Sequence, residues 1–153
     1  MKRNIILAIT SLSIILLDQL SKILIVGRTI NIIPNVLSFI YTENTGVAFG
    51  LIDDNLVFII LFNIVVLAVI IKFLKENREN MDFIMLVSLI LILSGGTSNL
   101  IDRFLKGCVV DFIKTEFVKF PIFNLADISV VIGIFILIIV LIKQTMINKN
   151  NSK

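Results

Sequence analysis

The chain has 153 residues, 58% of them hydrophobic and 16% charged, with a formal net charge of +3. Soluble domains run nearer ~45–50% apolar and ~25% charged, so lipid rather than water is the solvent this composition implies. With no His and a single Cys, Cys108, the chain excludes a histidine-based triad, an HExxH zinc site, an internal disulfide and a thiolate metal cluster.

Four apolar blocks follow one another: Ile5 to Val26, Leu56 to Leu74, Phe83 to about Ile101, and about Phe123 to Ile142. Each is close to the ~20 residues a helix needs to cross ~30 Å of hydrocarbon. They predict an all-α membrane protein, one domain over residues 1–153, with long connections at 27–55 and 102–122 and a short one at 75–82.

The basic start Met1–Asn4 ahead of the first block has the look of a signal peptide. No small-residue cleavage pattern follows Leu17, however; Asp18-Gln19-Leu20-Ser21-Lys22 follows and apolar residues resume, so a retained helix is expected. Asp18 and Lys22 share one helix face at a spacing of four. They read either as a self-neutralising pair or as braces for a site. Ionisable groups at this depth are costly enough to be functional candidates.

Between the first two blocks, Asn31 to Phe49 mixes β-branched and aromatic residues with Pro34, Asn35 and Gly46, which predicts short strands at the membrane surface. Glu43, Asp53 and Asp54 read as solvated charges. The second block is almost uniformly apolar, Asn63 being the exception.

The third block ends in Ser94-Gly95-Gly96-Thr97-Ser98-Asn99-Leu100-Ile101-Asp102-Arg103. Small residues permit close helix contact, and in a continuing helix Asn99 shares a face with Asp102 and Arg103. This is either a packing patch with a solvated end or a structured site.

Asp111 has apolar neighbours on both sides in Val109-Val110-Asp111-Phe112, as in a short strand or a surface-lying segment. Asn124 and Asp127 are spaced as a helix N-cap and a favourable first-turn acid. Were Asp111 and Asp127 to meet at a partly desolvated edge, one would hold a proton and the other would not. Such a pair can activate water and protonate a carbonyl, which is general acid–base peptide hydrolysis. Spacing alone does not bring them together.

Lys2 and Arg3, then Lys72, Lys75 and Arg78, then Lys143, Lys149 and Lys153 fall on one side of four spans. That side is predicted to be cytoplasmic, with both termini inside and both long connections outside. The modest net charge fits this topology rather than nucleic-acid binding. Two other readings stand beside the acid pair. One is a Ser–Lys peptidase using Lys22 with Ser21 or Ser98; the other is a small carrier relaying protons through Asp18, Lys22 and Asp102.

At these residues the chain resembles the bacterial lipoprotein signal peptidases (signal peptidase II). Asp18-Gln19-Leu20-Ser21-Lys22 matches the family's D-Q-x-x-K, and Asn44-Thr45-Gly46-Val47-Ala48-Phe49 its N-x-G-x-A-F. Asn99–Arg103 looks like N-x-x-D-R, Val110–Phe112 like V-D-F, and Phe123–Asp127 like F-N-x-A-D. Five motifs in order, across essentially the whole chain, are a specific signal. The resemblance implies four transmembrane helices with a small extracytoplasmic β-cradle. It implies Asp111 and Asp127 as a catalytic dyad, with Asp18, Lys22, Asn44, Gly46, Asn99, Asp102, Arg103 and Asn124 lining or supporting the site. It also implies cleavage of prolipoproteins on the amino side of a diacylglyceryl-modified cysteine, near the outer leaflet of the cytoplasmic membrane. No metal or other cofactor is expected. The expected partners are lipid-modified substrates and membrane lipids, and the expected state is a monomer. One departure stands out: the family has G-G-x-x-G-N where this chain reads Ser94-Gly95-Gly96-Thr97-Ser98-Asn99, with Ser98 in place of the glycine beside Asn99.

Overall fold

The computed structural model describes residues 2–46 and 55–151. Val47, Ala48 and Phe49 of the N-x-G-x-A-F segment, and the expected surface charges Asp53 and Asp54, lie outside the described residues, as does Lys153. The described chain forms helices α1 (Lys2–Ile25), α2 (Leu56–Asn77), α3 (Phe83–Lys106) and α4 (Leu125–Asn151), and strands β1 (Thr29–Ile33), β2 (Leu37–Asn44) and β3 (Val109–Thr115). Among the described residues, four helical segments are long and apolar enough to cross a membrane. Their outward faces carry exposed Leu16, Leu24, Phe62, Val131 and Phe135. Such surface is a liability in water and ordinary against acyl chains.

Local chemistry sets the helix ends. Asn55 and Asp82 accept the N–H groups of Phe58 and Met85, opening α2 and α3. Gly107, at φ 75°, closes α3 in the left-handed region, returning its N–H to the Arg103 carbonyl. α3 therefore runs past the expected end at Ile101 to Lys106. Its terminal charges find partners inside the protein instead of marking an exit from the bilayer. α4 begins at Leu125, later than expected, because Phe123 is held by β3. It continues past Ile142 to Asn151, carrying a polar last turn.

α3 is the hub, packing against α1, α2 and α4. It approaches α4 closely, since a Cβ on Gly95 would collide with the Ala126 carbonyl oxygen, and one on Gly133 would lie 2.7 Å from the Ser88 carbonyl oxygen. The three strands form an antiparallel sheet in the order β1–β2–β3. β2 meets β3 with Thr42 opposite Asp111 and Asn44 opposite Val109. Ile25, Val110, Phe112 and Ile113 pin the sheet to the end of α1, and Phe39 packs edge-on against Phe112 with ring centroids 5.5 Å apart.

Candidate active site

What spacing could not supply, the end of β3 does. The backbone of Phe123 bonds Ile113 in both directions, N–H to carbonyl at 3.1 Å and carbonyl to N–H at 2.8 Å. This bridge folds the chain back after β3, so that Asn124 and the first turn of α4 lie beside Asp111. Asn124 is then the N-cap of α4. Its Oδ1 accepts the Asp127 N–H at 2.9 Å while Asp127 Oδ2 accepts the Asn124 N–H at 3.1 Å, a reciprocal capping arrangement. Asp127 thus takes the first-turn capping place its spacing allowed, and the same turn sets its carboxylate in the network that holds Asp111.

Each aspartate is held by side-chain amides whose orientation is dictated by a donor on their oxygen. Asn124 gives its oxygen to Asp127 N–H, so its Nδ2 faces Asp111 Oδ1 at 2.7 Å. Asn44 accepts the Gly46 N–H at 3.1 Å, so its Nδ2 faces Asp111 Oδ2 at 2.8 Å. Asn99 accepts from Lys22 Nζ at 2.9 Å, so its Nδ2 faces Asp127 Oδ1 at 2.7 Å. Three amides therefore present donors to the two carboxylates, and none can flip without placing oxygen against oxygen or hydrogen against hydrogen. Asn124 also reaches Asn99 Oδ1 at 3.1 Å, closing the network.

Beneath the aspartates lies a second cluster. Lys22 is fully buried, and its three ammonium hydrogens go to Asp18 Oδ2 at 2.7 Å, Asp102 Oδ2 at 2.8 Å and Asn99 Oδ1. Asp18 Oδ1 accepts the Ala126 N–H at 2.9 Å, which sets a carboxylate at the positive end of α4. Asp102 also takes Lys106 at 3.1 Å. Asp18 and Lys22 thus form the self-neutralising pair, and Asp18 also anchors the start of the helix that carries Asp127. Arg103 does not bind Asp102. Its Nη2 donates to the Gly46 carbonyl at 3.3 Å, holding the chain after β2 over the site, and its charge acts on Asp111 and Asp127. Its Nε is buried without a partner among the described residues.

Two residues in the quoted motifs do more than expected. Ser98 Oγ donates to Asp18 Oδ2 at 2.7 Å, and Gln19 Nε2 donates to Ser98 Oγ at 3.0 Å and to Asp102 Oδ1 at 3.3 Å. The residue that departs from the family's glycine is thereby built into the buried cluster. Being one helical position from Asn99, it was readable as packing but not as a donor.

The chemistry available here is carboxylate chemistry. Burial pushes the Asp111 carboxyl up to about 6, the charge of Asp127 adding to the shift and the Asn44 and Asn124 amides opposing it. Lys22 has no hydrogen or lone pair to spare as a base for Ser98, so the Ser–Lys reading loses its nucleophile activator. No cluster of three or more His, Cys, Asp or Glu suited to a metal ion occurs among the described residues.

The sequence model of a family described as signal peptidase (SPase) II matches residues 10–143. A lipoprotein signal peptidase of Streptococcus pneumoniae is 38% identical over 149 residues, covering 94% of this chain and 97% of that protein. One of Staphylococcus aureus is 35% identical over 145 residues, covering 90% and 88%. Two solved bacterial membrane enzyme structures are also similar. The first has a TM-score of 0.83 at 33% identity, covering 91% of this chain and 88% of that one. The second has a TM-score of 0.79 at 32% identity, covering 90% and 92%.

Proposed function

The chain belongs to the signal peptidase II family, and on that premise we propose that it is an aspartic endopeptidase. It removes signal peptides from diacylglyceryl-modified prolipoproteins by cutting on the amino side of the lipidated cysteine. The observation that carries this reading is Asn124, which binds Asp111 through its side chain and Asp127 through its backbone and its side-chain oxygen. One residue thereby holds both carboxylates in a common frame.

In this mechanism the pair shares one proton. Asp111, 3% exposed, is the acid member, and the less buried Asp127 is the base. Asp127 takes a proton from water as the oxygen attacks the scissile carbonyl, while Asp111 gives its proton to the carbonyl oxygen. The tetrahedral diol collapses as its hydroxyl proton returns to Asp111. The proton on Asp127 goes to the departing amine of the lipidated cysteine. The bond broken is the peptide C–N bond, and the dyad ends in its starting protonation state. Asn44, Asn99 and Asn124 keep the carboxylates in place without supplying protons.

The substrate's diacylglyceryl chains enter from lipid between the helices, and the protein acts as a monomer in the cytoplasmic membrane. Both termini face the cytoplasm and the dyad lies near the outer leaflet. The almost uniformly apolar middles of α2 and α4, with Asn63 the clearest exception, favour this over the carrier reading, which needs polar groups in mid-span. The test is cleavage of a diacylglyceryl-modified prolipoprotein by purified protein, with Asp111→Asn and Asp127→Asn alongside. Cleavage before the lipidated cysteine by wild type, and none by either folded variant, is the expected result. Near-normal cleavage by either variant removes that aspartate from the mechanism.

A further inference from the structure

At the end of the bundle opposite the aspartates, α1, α2 and α3 enclose a cleft of about 440 Å3. Its walls are apolar, formed among others by Leu7, Leu74 and Leu86, of which Leu7 and Leu86 are buried. Its mouth is polar and cationic, with Asn4, Lys75 and Arg78. Arg78 donates to the Asn4 side chain, a bond that draws the guanidinium across from the end of α2 to the start of α1. Among the described residues neither Lys75 nor Arg78 pairs with a carboxylate, and no acid lines the cleft.

Because these helices span the bilayer, the mouth lies at headgroup depth and the walls lie among acyl chains. Water gains little against the apolar walls, where Ser11 is the one polar side chain below the mouth, and an empty slot forfeits dispersion contacts along them. The occupant must combine a hydrocarbon chain with a negative group at one end. A zwitterionic lipid brings its own cation to two that are already there; an anionic lipid does not. We propose that the cleft binds one anionic phospholipid, its phosphodiester on Lys75 and Arg78 and its acyl chain against Leu7, Leu74 and Leu86. This site is independent of the peptidase reading.

The experiment is native mass spectrometry of the full chain released from detergent, titrated separately with phosphatidylglycerol and phosphatidylcholine. Each cation facing an anionic lipid surface is worth roughly fivefold in affinity, so two predict a preference for phosphatidylglycerol of about 30-fold. Lys75→Gln with Arg78→Gln should abolish the preference. Ala8→Phe, which fills the lining at Ala8 and keeps both cations, should weaken both lipids together. Circular dichroism of both variants should match wild type, which separates a lost site from a lost fold. Four results would overturn the proposal: equal retention of the two lipids by wild type, a preference that survives the double substitution, displacement of bound lipid by millimolar inorganic phosphate, or a lipid-free dimer that Ala8→Phe splits, which would make a second copy the occupant.

Discussion

Replacing Asp111 by Asn keeps the size and shape of the side chain and removes its titration. In the folded protein the carboxyl titrates at about 6, against an ordinary 3.8. Between those values the folded state binds more protons than the unfolded one, so wild-type stability falls as pH rises from about 4 to about 6 and stays low above. A shift of about two units corresponds to roughly 3 kcal/mol at most. The Asn variant has no such dependence at this position. Its own defect is fixed: one amide hydrogen now faces a donor from Asn44 or Asn124, which costs about 1–3 kcal/mol at every pH. Subtracting the variant's stability at pH 4 from that at pH 8, relative to wild type, cancels this constant. The variant should gain up to about 3 kcal/mol on wild type across that span. Thermal unfolding in detergent from pH 4 to pH 8 measures it, and at ~2–4 °C per kcal/mol the midpoints should move apart by several degrees. A difference between the two proteins that is flat with pH would refute the claim that Asp111 is strained by burial, and with it the choice of Asp111 as acid member.

Activity should decline as pH rises through the Asp111 value: kcat/KM, measured on a lipidated substrate, falls about tenfold per unit well above pH 6, and a chelator leaves it unchanged. Lys22→Met leaves Asp18 and Asp102 as buried charges short of their shared cation and should cost about 3–5 kcal/mol, read as a lowered unfolding midpoint with lost cleavage. Gly95→Ala forces α3 away from the first turn of α4 and should cost about 1–3 kcal/mol together with activity on the order of 10²-fold. Gly96→Ala meets the end of the Leu67 side chain, with Asn63 Oδ1 at ordinary contact distance, and should cost much less in both assays. Ser98→Ala removes a donor from Asp18, which keeps Lys22 and Ala126, so denaturation should show a loss of about 1–2 kcal/mol with cleavage within a few fold of wild type.

The helices were legible because a span needs only length and apolarity, and both are written locally. The strands of the first connection were legible from their β-branched residues. The third strand was harder: Asp111 sits within it, and a charge among apolar neighbours fits a surface segment equally well. The pairing of Asp111 with Asp127 was not legible from spacing, since it depends on the backbone bridge between Ile113 and Phe123. Arg103 and Asp102 showed the same limit. Adjacent on one helix, they part company, one to the chain after β2 and the other to Lys22, and only the neighbouring elements decide that. The family resemblance named the residues; the amide orientations that hold them come from contacts between segments far apart in sequence.

The buried ion cluster has a consequence for how the chain enters the membrane. α1 must cross lipid before α3 can serve it as a neighbour, yet it never carries a bare charge, because Asp18 and Lys22 are one turn apart on the same helix. α3 likewise brings Asp102 with its own escort, Lys106. Each of these two pairs is electrically self-sufficient during insertion. Assembly then joins the two pairs through Lys22 and Asp102, so the ions of this cluster each reach it beside a partner already on their own helix, while Arg103 stays outside it.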